Sequence, residues 1–378
     1  MRILWITNIP SPYRVDFFNE LGKSIDLTVL FERESASDRD SAWQDYKFEN
    51  FTGVIMRGLS YGSDSAFCPG VIRELMQRRY DLVVVTDFSS PTGIAAIAYL
   101  KATRRPYFLE SDGGFPGPAG LKAKVKRAII EGASGYFSTS DVHDDYYLAY
   151  GARRDRLIRY SFTSVGSEQV LSSPPTPRQK ADAKNALGFH GQHLVLFVGQ
   201  FIQRKGIDVL LKAGAGLSGS ADICIVGGDP TEEYETLVND LELTNVTFAG
   251  FKSKRELGTY LTAADVLVLP TREDIWGLVI NEALANGLPV VTTDRCVAGL
   301  ELVQKHGCGR VIPVDDIEAL REAIDEVLTD DNLREEMQLK ALGVARAYTV
   351  ENMAKRHVEV FESWRQGTSL ADVAESCN

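Results

Sequence analysis

The chain of 378 residues is longer than one hydrophobic core usually supports, and 44 % hydrophobic residues suffice for two domains of ordinary size. Its formal charge of −11 falls wholly on residues after 170, the first 170 being balanced, which excludes a general nucleic-acid binder that must cluster Lys and Arg against phosphates. The cysteines Cys68, Cys224, Cys296, Cys308 and Cys377 are far apart and form no C-x-x-C pair, which excludes a zinc ribbon or redox dithiol and fits a reducing cytoplasm.

From the N-terminus onward, short β-branched runs alternate with helical patterns, the signature of β-α units and a parallel sheet. The opening MRILWITNIPSPYR has one basic residue and then an apolar run too short for a secretory signal, broken by Asn8 and Pro10. Strands are predicted at RILWITNI, DLTVLFE, GVIMRG, DLVVVTD, RPYFLES, GYFSTS and LIRYSF in the first half. In the second they are HLVLFVG, DICIVGG, VTFAG, DVLVLPT, PVVTTD and RVIPV. The least polar stretch, PTGIAAIAYL, is about half of the roughly 20 residues that span a bilayer, so any membrane contact is peripheral. Between the two strand sets, SSPPTPRQK (172–180) places three prolines in four positions, which predicts a stiff connector without a helix.

The expected fold class is α/β, two doubly wound Rossmann-like domains at 1–170 and 185–345 joined by a linker at 171–184. Ligands of such sheets bind outside the strand C-terminal ends, and two facing domains would share one crevice. The last helical pattern, VENMAKRHVEVFESWR, has no strand of its own and is expected to return to the first domain as a helix over 346–364. Residues 365–378 read as a frayed tail.

The stretch REDIWGLVINEALANGLPV (272–290) follows the apolar run DVLVLP and sets Glu273, Asp274 and Glu282 around a strand-to-helix turn, with only Arg272 beside them as counter-charge. Gly287 and Pro289 stop the helix. The amides of Gly277, Leu278 and Val279 open it and, with the helix dipole, form an anion site that a phosphate approaches closely over Gly277. Glu282, inside the helix, suits a vicinal diol such as a ribose. The plainer alternative makes Asp274 a helix cap and Glu282 a solvated charge near a helix start. In VGQFIQRKGIDVLL, Gly199 closes a strand and Arg204 and Lys205 precede a helix, as cations for a diphosphate or as surface charges. CIVGGDP and VTFAGF put Gly227, Gly228, Gly250 and Phe251 at two further strand ends, where bare backbone receives a flat base.

Together these residues resemble the nucleotide-binding half of the family 4 glycosyltransferases of the GT-B fold, over about 193–345 and more loosely over the first domain. The family's acidic pair, E-x7-E within E-x-F-G-L-x-x-x-E-A-x-A-x-G-x-P-V, reads here DIWGLVINEALANGLPV, with Asp274 and Glu282 in the acidic places. The resemblance implies that Glu282 grips the ribose, that the 277–279 amides hold the diphosphate, and that Asp274, with Glu273, holds the donor sugar. Lys205 stands at the family's phosphate lysine, and Trp276 falls among the donor-binding residues. It also implies retention of anomeric configuration, no metal and no cofactor beyond the nucleotide sugar. No H-x-x-E, paired His or D-x-D pattern near a strand end suggests a metal. Two departures stand out: Gln200 replaces the usual Arg of V-G-R, which leaves Arg204 or Arg272 as the second phosphate cation, and Asp274 is one methylene shorter than the family's Glu. TNIPSPYR lacks G-x-G-x-x-G, which weighs against a dehydrogenase.

In that family the first domain binds the acceptor. NIPSPYRVDFFNEL sets Ser11, Tyr13 and Arg14 at a strand end opening onto a helix, and DFSSPTGIAAIAYL repeats the device with Ser90 as N-cap and Pro91 at the first helical position. In FLESDGGFPG, where relatives carry a polar residue that reaches the sugars, Asp112 is the choice for catalysis over Glu110 and Ser111, unless it forms only an acidic turn. The five histidines are expected on the surface or in packing. LKAKVKRAIIEG and GARRDRLIR are basic, but Lys122, Lys124 and Arg127 do not share one helical face, which favours a solvated surface over a membrane foot.

The expected function is a cytoplasmic retaining glycosyltransferase that moves a sugar from a nucleotide diphosphate, UDP before GDP or ADP, to a glycan or lipid-linked saccharide. The alternatives are a sugar-nucleotide epimerase and a nucleotide-sugar-binding partner without turnover.

Overall fold

The computed structural model describes residues 1–35, 46–62, 64–77, 80–217 and 221–375. Two compact units account for the chain, residues 1–164 together with the chain from 349 onward, and residues 165–348. Cys377 lies outside the described residues; the other four cysteines are buried free thiols.

The first unit contains β1 (Arg2–Thr7), β2 (Asp26–Phe31), β3 (Thr52–Ile55), β4 (Leu59–Tyr61), β5 (Ser65–Phe67), β6 (Leu82–Val85), β7 (Tyr107–Glu110), β8 (Gly135–Ser138) and β9 (Leu157–Arg159). Seven of them form a sheet in the order β3-β2-β1-β6-β7-β8-β9, every pair parallel. Its central strands are buried along their length, as expected of a sheet covered on both faces, which is why they read as unbroken apolar runs. The chain winds outward from β1 to β3 and then returns to lay β6 against the other side of β1. The carboxyl ends of β1 and β6 therefore flank the reversal of strand order, where a doubly wound sheet opens a crevice. The β4–β5 pair is an antiparallel hairpin. Its strands, of three residues each, are too short for an alternation pattern to show, and the sequence reading passed over them.

Helix Pro12–Gly22 starts at Ser11 with Pro12 in the first turn, and helix Pro91–Ala102 starts at Ser90, whose Oγ accepts from the Gly93 amide, as expected. Helix Val350–Gln366 packs on helix Pro12–Gly22 within this unit. The helix expected over 346–364 is Val350–Gln366: the preceding helix, Asp331–Ala347, ends at Tyr348, and Thr349 caps the next by accepting from the Asn352 amide. The tail reading needs correction, because after Gly367, left-handed at φ 76°, residues Leu370–Glu375 form a further helix with Leu370 buried.

The second unit holds β10 (His193–Val198), β11 (Ala221–Val226), β12 (Val246–Phe248), β13 (Val266–Leu269), β14 (Val290–Thr293) and β15 (Gly309–Ile312), in the parallel order β12-β11-β10-β13-β14-β15. Here the reversal lies between β10 and β13. The proline-rich stretch also needs correction: a helix, Pro177–Leu187, begins inside it. Pro177 occupies the first helical position, where no amide is needed, and Thr176 and Gln179 cap it reciprocally. Lys180 and Lys184 of that helix bond the buried Asp265 at 3.0 and 2.7 Å, while Asp265 also accepts from the Leu194 amide, so the helix is tied to the start of β10 and β13.

Candidate active site

In the second unit, the residues that follow β10 and β13 meet at the reversal of strand order. After β13, Thr271 and its neighbours are pinned: Thr271 Oγ1 donates to the Arg204 carbonyl at 2.9 Å, and Thr293 Oγ1 of β14 donates to the Thr271 carbonyl at 2.6 Å. The Arg272 amide donates to the same Arg204 carbonyl at 2.8 Å. After β10, a short 3-10 turn over Gln203–Lys205 ends at Gly206, left-handed at φ 72° and so close that an added Cβ would lie 2.0 Å from the Pro270 carbonyl oxygen. That close approach fixes where Lys205 points. Its ammonium donates to Asp274 Oδ2 at 2.5 Å, with both side chains mostly buried, and Arg204 lies 4.0 Å from Asp274 Oδ1.

Asp274 is thus not the cap of the following helix. The cap is Gly277, left-handed at φ 98°, where an added Cβ would stand 2.9 Å from Cys296 Sγ. Helix Leu278–Ala285 follows; the Ile280 amide donates to the Gly277 carbonyl at 2.9 Å, and the amides of Leu278 and Val279 precede the first carbonyl the helix could offer them. Glu282 is half-buried one turn beyond Leu278 on the same face. The site therefore carries a positive helix end, a lysine with a buried carboxylate partner, and an acid one turn in.

Several neighbours differ from the sequence reading. Arg272 was the only cation in view beside the three acids, yet it bonds Asp208 at 2.8 and 3.0 Å and Asp315 at 2.7 Å instead. The counter-charges come from elsewhere in the chain: Lys205 and Arg204 for Asp274, and Arg295, at 2.8 Å, for Glu273. No spacing rule relates Arg295 to Glu273; the pair exists because the loops after β13 and β14 run side by side. Trp276 is a core residue, its indole buried and donating to Asn281 Oδ1 at 2.8 Å, so only its backbone borders the turn. Gly199 donates from the end of β10 to the Val226 carbonyl, and Gly227, at φ 139°, passes so close that a Cβ there would lie 2.0 Å from the Gly199 oxygen. Gly228 faces the Phe201 ring, and Phe251 is exposed beyond β12.

The first unit brings together Ser11, Tyr13, Arg14 and Asp112. Tyr13 donates to Asp112 Oδ2 at 3.0 Å, and the buried Arg14 guanidinium donates to Asp112 Oδ1 and, at 2.9 Å, to the fully buried Glu110. Tyr160 also donates to Glu110 at 2.9 Å. Burial disfavours the charge on Arg14, but Asp112 and Glu110 outweigh it and hold the guanidinium well above its ordinary range. Ser11 is buried at the helix start, its carbonyl accepting from the Arg14 and Val15 amides. Glu110 and Tyr160, which the sequence reading left without a role, complete this network; a charged residue ending a wholly apolar strand was the available signal. His143 is buried, accepts from the Thr139 amide and lies 2.9 Å from Ser111 Oγ; burial pushes it down to about 3. Among the described residues no cluster of His, Cys, Asp or Glu suits a metal ion.

Residues 179–342 match the protein family described as glycosyl transferases group 1. The chain is 29 % identical over 279 residues to a D-inositol 3-phosphate glycosyltransferase of Corynebacterium urealyticum, covering 70 % of this chain and 64 % of that protein. It is 34 % identical over 175 residues to the lipopolysaccharide glucosyltransferase WaaG of Escherichia coli, covering 44 % of each. The chain thus spans about half to two thirds of the curated relatives it matches. Among solved structures, Anabaena Alr3699/HepE in complex with UDP and glucose superposes with a TM-score of 0.74 at 17 % identity, over 96 % of this chain and all of that one. Likeness at that identity shows the fold, which is the expected GT-B class of two doubly wound α/β units.

Proposed function

We propose that the protein is a retaining glycosyltransferase that moves a sugar from a nucleotide diphosphate, UDP in first place, to a glycan or lipid-linked saccharide. The observation that carries this reading is the cradle of the second unit: a helix N-terminus opened by left-handed Gly277, Lys205 held 2.5 Å from Asp274, and Glu282 one turn in. A diphosphate at the amides of 277–279 would have Lys205 and Arg204 beside it, electrostatics aimed at the charge that develops as the bond to the sugar breaks. Glu282 is assigned to the ribose, and Asp274 with Glu273 to the donor sugar. In this reading the cations and amides replace a divalent ion, and no further cofactor takes part. The match of residues 179–342 to glycosyl transferases group 1, and the UDP held by the HepE structure, support the donor class.

The first unit is assigned to the acceptor, through Ser11, Tyr13, Arg14 and Asp112. No described helix is long and apolar enough to cross a membrane, so contact with a lipid-linked acceptor's membrane is peripheral in this proposal. Incubation with UDP-, GDP- and ADP-sugars, with release of free nucleotide diphosphate followed by chromatography, tests the reading. A transferase releases diphosphate slowly to water and faster with an acceptor; interconverted sugar would mark an epimerase, and thermal stabilisation without turnover a binder.

A further inference from the structure

Four carboxylates crowd the carboxyl edge of the first sheet beside the reversal of strand order: Glu32 after β2, Asp64 in the hairpin, Asp87 after β6 and Asp112 after β7. Their hydrogen bonding separates them. Asp112 has both oxygens engaged, one by Tyr13 and one by Arg14. Glu32 is buried with both oxygens engaged, by Ser90 Oγ and by the Ala66 amide at 2.8 Å, and so holds the hairpin. Asp64 accepts from Asn8 Nδ2 at 3.0 Å and from Ser65 Oγ at 3.2 Å. Asp87 uses one oxygen only: Oδ2 accepts from the Asn8 amide at 2.9 Å and from Thr7 Oγ1 at 3.3 Å. Among the described residues nothing donates to its Oδ1.

Position adds to this. Asp87 follows β6 by two residues and is fastened to the residues that follow β1, so it stands between the two strands whose separation opens the crevice of a doubly wound sheet. It is half-buried, fixed by two donors, and retains acceptor capacity at the place where a ligand enters. A carboxylate so placed recognises a hydroxyl by accepting its hydrogen.

We propose that Asp87 anchors a hydroxyl group of the acceptor sugar through Oδ1, while Asp112 serves to position Arg14 and Tyr13. The inference rests on the assignment of this unit to the acceptor. It concerns binding, and no proton transfer to Asp87 is involved.

Ionised, Asp87 accepts at Oδ1; because Oδ2 already accepts from Asn8 and Thr7, a proton taken up settles on Oδ1 and makes it a donor. Burial, and then the charge of Asp112, push Asp87 up to about 6; Arg14 and the Asn8 amide oppose them, and Asp64 and Glu32 face it from the hairpin and from β2. Acceptor binding by the native protein should therefore weaken as the pH falls through 6.

The test uses UDP-glucose as donor and the methyl glycosides of glucose, galactose, mannose and N-acetylglucosamine as acceptor probes, with saturation-transfer NMR to detect their binding. Asp87→Asn should raise the acceptor KM about tenfold or more, leave UDP release to water within twofold, and abolish the loss of acceptor affinity below pH 6. Asp112→Asn should instead lower the melting temperature and, by removing a charge that raises Asp87, shift that pH dependence to lower pH without abolishing it. An unchanged acceptor KM in Asp87→Asn overturns the inference, as does a native acceptor KM flat between pH 7.5 and 5, which needs no variant to fold. Binding of none of the four glycosides also counts against it. Absence of UDP release under every condition would instead strike at the functional reading on which it rests.

Discussion

Replacing His357 by Phe should make the first unit more resistant to acid, and the size of the effect follows from the environment of the ring. His357 is fully buried, stacked on Phe137 at 4.2 Å, with Phe17 and Tyr160 at 4.9 Å, Trp5 at 5.8 Å and Phe361 at 6.1 Å. Nδ1 donates to the Met353 carbonyl at 2.8 Å, and Nε2 has no hydrogen-bond partner among the described residues. The cage leaves no place for a second proton, and burial pushes the imidazole from 6.5 down to about 3. An unfolded chain takes up that proton below 6.5 and the folded one does not until about 3. The stability is thus complete above 6.5 and lost as the pH falls, at about 1.4 kcal/mol per pH unit, or roughly 2 kcal/mol at pH 5. Phe fills the same space, packs on the same rings and binds no proton. Glu32 and Asp87, pushed up to about 7 and about 6 chiefly by burial, act with the opposite sign, being lost as the pH rises, but they are common to both proteins and cancel in the comparison. Urea unfolding at pH 7.5, 6.5, 5.5 and 5.0, followed by the fluorescence of Trp5 beside the ring, measures the difference. Relative to its value at pH 7.5, it should move by about 2 kcal/mol in favour of the variant at pH 5. A difference that does not change with pH would refute the argument.

Gly206→Ala should destabilise the second unit by roughly 1–3 kcal/mol and weaken nucleotide binding with it, because the left-handed backbone is strained for Ala and the new Cβ meets the Pro270 carbonyl; calorimetric melting and UDP titration read the two effects. Trp276→Phe should cost about 1 kcal/mol of stability through the lost bond to Asn281 while UDP affinity stays within twofold, and a tenfold loss of affinity would return the indole to the donor site. Asp265→Asn should cost about 3 kcal/mol in chemical denaturation, since Lys180 and Lys184 would be left mostly buried without their counter-charge.

The central strands of both sheets are legible because strands covered on two faces must be apolar throughout, and the helix starts at Ser11 and Ser90 because a proline follows each serine at the first helical position, Ser90 also capping with its hydroxyl. The start of helix Pro177–Leu187 is hidden because three prolines in four positions read as helix breakers, although the last of them stands at the first helical position, where no amide is needed. In the second unit, Lys205, Asp274, Gly277 and Glu282 were all named, since each sits where a strand gives way to a helix. The pairings of the neighbouring charges are not: Arg295 with Glu273, and Asp208 and Asp315 with Arg272, are set by which loops lie side by side, and a sequence does not state that directly. The resemblance sets Trp276 among the donor-binding residues, and the chain folds its indole onto Asn281, which leaves its backbone at the turn.

Isothermal titration of UDP into the native protein, Glu282→Ala and Lys205→Ala bears most directly on the cradle formed by the front of helix Leu278–Ala285. The account predicts that each substitution lowers affinity by at least about tenfold, some 1.4 kcal/mol, with melting temperatures that show intact folding. Undiminished affinity in both variants would contradict it.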